Sequence, residues 1–175
     1  MSEAEKQRGQ QRKAKSKLWL GILGGFIAGV VVCGAGMFTV MPSLMIVTEE
    51  SSLAYDETVA SLEQNIEENG WVVSRAMDMN KSMAKHGVEF EPRVTLVKLC
   101  KAEYAKSVLT TDRHISTMMP CTISVWEGED GKVYLSKMNL GLMAKMFGGN
   151  VAKVMGGDVV RDEAKILHGI VQGGH

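Results

Sequence analysis

The sequence predicts an α+β protein: an N-terminal transmembrane helix followed by one compact domain with a largely antiparallel sheet and helices packed on it. Three observations lead there. The uncharged run "LWLGILGGFIAGVVVCGAGMFTVM", Leu18 to Met41, exceeds the ~20 residues a helix needs to cross hydrocarbon. Beyond it, short β-rich runs alternate with segments of helical period. Two of those runs are joined by "EGEDG", whose Asp130-Gly131 pair supplies hairpin turn chemistry.

The chain has 175 residues, enough for one domain and an appendage, and its 20 basic and 20 acidic residues cancel. The balance hides an asymmetry. Lys6, Arg8, Arg12, Lys13, Lys15 and Lys17 crowd before the apolar run, against only Glu3 and Glu5. Residues 1–17 thus read as a basic tail and 18–41 as an uncleaved membrane anchor, too long for the apolar part of a signal peptide. Basic flanks resist translocation, so the tail is expected in the cytoplasm and everything after Met41 outside the membrane. In a bacterium that space is the periplasm. Trp19 suits the interface at the basic end. Gly21, Gly25 and Gly29 fall four apart on one helical face, a spacing that permits close contact with a second copy or with another membrane subunit.

Pro42 marks the expected end of the span, and "SLMIVTEE" reads as the first strand. Tyr55, Val59, Leu62 and Ile66 recur at helical spacing, with Asp56 and Glu57 in the first turn and Gly70 after the end. "WVVSRAMDM" is a second strand, "NKSMAKHG" a short helix opened by Asn80 and closed by Gly87, and "RVTLVKLC" a third strand. "KAEYAKSVLT" supplies another helix before the hairpin of "CTISVW" and "KVYLSKM". In the tail, residues 150–175, Val151, Val154, Met155, Val159, Ile166, Leu167 and Ile170 make helical stripes, interrupted at Gly156-Gly157. Two helices with a break follow from that, covering the sheet or lying on the membrane.

The segments "MIVTEESSLAYDETVASLEQNIEENGWVVSRAMDMN", "RVTLVKLCKAEYAKSVL" and "MMPCTISVWEGEDGKVYLSKMNLGLMAKMFGG" carry a likeness. Over residues 45–149 the chain resembles the domain of unknown function 302 family, in its membrane-anchored bacterial branch, most specifically at the Pro-Cys strand, the Asp-Gly turn and the Met-Asn pair. The resemblance implies an α+β sheet-and-helix fold and a tendency to dimerise. It implies no reaction.

Cys33 falls in the span; Cys100 ends the third strand and Cys121 opens the next. In an oxidising compartment the latter two form a disulfide, remain two buried thiols, or act as a redox pair. No CxxC supports a thioredoxin-like mechanism. His114, Met118, Met119, Cys121 and Met138 gather imidazole, thioether and thiol near the hairpin, the ligand types that suit copper(I) or a haem iron. Covalent haem lacks its CxxCH, and the chain's 13 methionines make core packing the first expectation. His86 sits beside a helix end and His168 on the tail helix, where solvated or capping roles are expected, and the glycine pairs of "FGGN" and "MGGD" read as helix breakers. No nucleophile elbow, zinc-protease motif or phosphate loop is legible, and the folded part does not interleave basic with aromatic residues as nucleic-acid binding requires. The expectation is a non-enzymatic membrane-tethered module without a cofactor, binding a second copy or a membrane subunit; redox, metal or haem handling is the alternative.

Overall fold

The computed structural model describes the backbone of residues 3–172 and the side chains of that stretch apart from 3–18, 20–22, 27 and 42. The basic residues of the tail and Gly21 therefore lie outside the described side chains. Residues 1–43 and 44–175 form two units.

The first unit is one helix, α1 (Glu3–Met45), which runs on into the second. Its stretch Leu23–Met41 is long and apolar enough for a membrane span or a signal sequence, and none of it is buried in the protein. The Thr39 hydroxyl donates back to the Ala35 carbonyl at 3.0 Å and that of Ser43 to Val40 at 2.8 Å, so neither needs water. Pro42 is not the boundary expected: the helix continues to Met45 and the first strand starts at Ile46. A proline removes one backbone donor, which weakens a helix near its end without ending it there.

The second unit follows the expected order of elements. Strands β1 (Ile46–Glu50), β2 (Val72–Asp78), β3 (Val94–Cys100), β4 (Cys121–Glu127) and β5 (Val133–Met138) form one antiparallel sheet in the order β1-β5-β4-β3-β2. The helices are α2 (Tyr55–Glu68), α3 (Met79–Ala84), α4 (Ala102–Thr111), α5 (Leu140–Phe147), α6 (Gly149–Lys153) and α7 (Val160–Leu167). At the hairpin tip Gly131 takes φ 76°, a left-handed conformation glycine adopts without strain. The α3 cap is Asp78 rather than Asn80: its carboxylate accepts from the Lys81 N–H at 2.9 Å. Asn80 instead ties the following loop, donating to the Pro92 carbonyl and accepting from the Val94 N–H.

Strand alternation sorts the sheet into two faces. Thr95, Val97 and Leu99 of β3, Ile123 and Val125 of β4, and Leu135 of β5 are buried. The helices cover that face: Tyr55, Thr58, Leu62 and Ile66 of α2 are buried with Ile166 and Leu167 of α7. Thr58 is buried where an apolar pattern favours Val59, because its hydroxyl is satisfied by Ser51 at 2.7 Å. The other face is open. Ile46, Thr48, Lys98, Thr122, Ser124, Trp126, Ser136 and Met138 lie on it, and none is buried.

The C-terminal residues belong to the domain's core: Val151, Val154, Met155, Val159 and Ile170 are all buried. They pack on the domain. The break expected at Gly156-Gly157 is a π-helical turn, Val154–Val159, that carries α6 into α7 without interruption. Glycine there admits a close neighbour, since a Cβ on Gly156 would lie 3.0 Å from that of Ala144 in α5.

Candidate functional site

The open face, the end of β5 and the segment before β4 enclose a cleft of about 420 Å³. That segment is a 3-10 helix, Arg113–Met118, followed by Met119 and Pro120, so Met118 and Met119 are not the adjacent strand residues that the pattern allowed. Ile46, Met118, Met119, Pro120, Met138 and Leu140 supply the apolar wall. Lys98, Thr122, Ser124 and Ser136 supply polar groups from the open face, and Cys121, Lys137 and Glu163 come from the helix-covered side.

Each group is placed by an identifiable element. The register Ile46↔Met138 sets those two side by side across β1 and β5, and Lys98↔Thr122 does the same across β3 and β4. Asn139 caps α5 by accepting from the Leu142 N–H at 3.0 Å, and its amide donates to the Leu44 carbonyl at 2.9 Å. That side chain joins the start of α5 to the point where the chain enters the domain.

Lys137 and Glu163 form the charged pair of the cleft, 3.2 Å apart, with the carboxylate almost wholly buried. Burial pushes the Glu163 carboxyl above its ordinary range, opposed by Lys137 and assisted by Glu49. Burial likewise pushes the Cys121 thiol up to about 12, helped by nearby Glu163 and Cys100. At neutral pH this thiol stays protonated and is a poor nucleophile.

The disulfide reading is corrected. All three cysteines are free. Leu99 pairs with Cys121, so alternation puts Cys100, the next residue, on the opposite face of the sheet. Two cysteines whose side chains leave the backbone in opposite directions cannot bridge without backbone movement. Cys33 is exposed on α1.

Of the predicted soft ligands, Met118, Met119, Cys121 and Met138 all line the cleft. His114 does not; its ring lies 6.4 Å from that of Phe147, centroid to centroid. Among the described residues no group of three His, Cys, Asp or Glu is placed to hold a metal ion. Gly25 and Gly29 have open space where a side chain would begin, as do Gly24, Gly34 and Gly36 of the same helix.

The pattern missed Lys98, Lys137 and Glu163. Lys137 follows the parity of Leu135, so a charge within an otherwise inward-facing series was the available signal. Glu163 had none, because Asp162 and Glu163 in "VRDEAKIL" look like the solvated first turn of a helix.

A protein-family model described as "Domain of unknown function DUF302" matches residues 47–169. The chain belongs to the DUF302 family. The DUF302 match spans all five strands apart from Ile46 and continues through α7. The fold is similar to the crystal structure of an uncharacterized conserved DUF302 protein from Bacillus stearothermophilus, with a TM-score of 0.62 and 19% identity over 70% of this chain and 95% of that one. An uncharacterized protein of Aquifex aeolicus (strain VF5) is 31% identical over 65 residues, which are 37% of this chain and 45% of that protein. The match therefore spans less than half the length of that relative.

Proposed function

We propose that this DUF302 protein is a membrane-anchored binding module of the kind suggested by the family's membrane-anchored bacterial branch. The α1 helix holds it in the cytoplasmic membrane with residues 1–17 inside, and the domain stands outside, in a bacterium the periplasm. Binding takes place in the cleft, and assembly with a second copy or another membrane subunit uses the face of Gly21, Gly25 and Gly29. One observation carries the binding reading: the largely apolar cleft holds a protonated thiol and an acid engaged by Lys137, groups suited to enclosing a ligand rather than attacking one. The basic flank supports the orientation.

Alkaline phosphatase, active only outside the cytoplasm, tests the orientation when fused after His175. The fusion is expected to be active and to stay in the membrane pellet after alkaline carbonate. Inactive phosphatase overturns the orientation, and release by carbonate overturns the anchor.

A second reading, soft-metal or haem handling, is favoured by Met118, Met119, Cys121 and Met138 lining one cleft. Saturable uptake of Cu(I) or haem that is lost in Met138→Leu supports it, and no uptake ends it.

A further inference from the structure

The cleft separates an apolar end from a polar one. Ile46 and Met138 are paired on β1 and β5, and Thr122 and Lys98 are paired on β4 and β3, so both pairs share the open face across four adjacent strands. Three strand spacings separate the outermost residues, about 14 Å. Leu140, two residues after Met138, extends the apolar end, and Met118 and Met119, from the segment leading into β4, add apolar wall to the cleft.

The charges are unequal. Lys98, Lys137 and Glu163 are the charged side chains of the cleft. Lys137 and Glu163 neutralise each other at 3.2 Å. Lys98 has neither a salt bridge nor a side-chain hydrogen bond among the described residues, although it is half-buried. Its strand neighbour Thr122 and nearby Ser124 also have hydroxyls without side-chain partners among the described residues, whereas Ser136 is engaged by Thr48 and Trp126. The polar end thus offers one uncompensated ammonium and two hydroxyls that can donate.

We propose that the cleft binds a single-chain amphiphile with an anionic head, a carboxylate or a phosphate monoester, which lies on Lys98, Thr122 and Ser124 while its chain runs towards Ile46 and Met138. A charge-assisted hydrogen bond to Lys98 selects the head, and methionines, whose thioethers adapt to irregular shapes, accept the chain. A cleft of about 420 Å³ is in the range of small-molecule sites. The inference rests on the binding-module reading and names its ligand class. Under the anchor reading the supply is local, because Ile46 follows Met41 by five residues and so lies within about 18 Å of the end of the apolar stretch.

The test uses the full chain in phosphatidylcholine nanodiscs and three photoactivatable probes of equal chain length: a diazirine fatty acid, a diazirine alkyl phosphate and a diazirine fatty alcohol. Adducts are located by peptide mass spectrometry. At least one anionic probe is expected to mark the Thr117–Thr122 segment or Met138 about tenfold more than the alcohol does, and the stronger of the two identifies the head. Lys98→Leu should remove most of that labelling and Lys98→Arg should retain it. The comparison of heads is made on the unaltered chain and does not depend on a variant folding. Equal labelling by the alcohol, or labelling indifferent to Lys98→Leu, overturns the anionic ligand and leaves the binding module standing. Adducts confined to the Leu23–Met41 stretch, or none at the cleft, overturn both.

Discussion

Asp162 ties together three elements from a position that looks like helix surface. Its Oδ2 accepts from the Trp71 indole N–H at 3.1 Å, the Lys101 ammonium at 2.9 Å and the Tyr104 hydroxyl at 3.1 Å, joining α7 to the start of β2 and to α4. Burial pushes its carboxyl up, but hydrogen bonds from Lys101, Trp71 and Tyr104 outweigh that and hold it below the ordinary carboxylate range. A carboxylate depressed in the folded state contributes stability above its unfolded pKa and loses it as pH falls through the folded value. Asp162→Asn is therefore expected to cost about 3 kcal/mol at pH 7 in denaturant unfolding of the full chain in detergent. The gap from the unaltered protein should close below about pH 4. A midpoint unchanged at pH 7 would make the cluster incidental. Glu163, next in sequence, has the opposite sign: its raised carboxyl makes the folded state less favourable as pH rises from the acid range, and Lys137 limits that loss.

At the scale of elements, the π-helical turn decides how the C-terminal helices sit. An ordinary helix through Val154–Val159 would present different residues to the core; the wider turn keeps Val154, Met155 and Val159 buried together. It also brings Gly156 against Ala144 of α5. Gly156→Val is expected to cost about 2 kcal/mol in thermal or denaturant unfolding, because α5 must shift to admit the new side chain. Gly157→Ala provides the contrast: nothing lies within 4 Å of the added methyl, and the substitution is expected to be neutral or to stabilise by up to about 1 kcal/mol. Equal losses at both positions would mean that the turn needs glycine for its backbone and not for the approach to α5.

At the largest scale, α2 and α7 cover one face of the domain's sheet, and the cleft draws Lys98, Thr122, Ser124 and Ser136 from the other face and Lys137 and Glu163 from the covered side. The proposed association through α1 belongs to this scale. Gly25→Leu should reduce crosslinked dimers, or co-purification with a membrane subunit, about tenfold at equal expression, by holding helix backbones apart. Assembly unchanged by the substitution would move the contact from α1 to the domain.

Period and punctuation made the elements legible. Helical spacing from Tyr55 to Ile66, the Asp130-Gly131 turn and the alternation of "VTLVKLC" are local signals, written in neighbouring residues and readable without the fold. The length and apolarity of α1 were equally plain. Strand order was not local, and it alone put Cys100 and Cys121 on opposite faces while setting Lys98 beside Thr122. The candidate site was half legible: its methionines and Cys121 stood out by chemical type, whereas Lys98, Lys137 and Glu163 are ordinary surface residues until long-range pairing brings them to one cleft. By itself the sequence determined the elements, because hydrophobic period and turn chemistry act within a few residues. Only the tertiary structure decided which faces are covered and where charges are buried, because those depend on contacts between residues far apart in the chain.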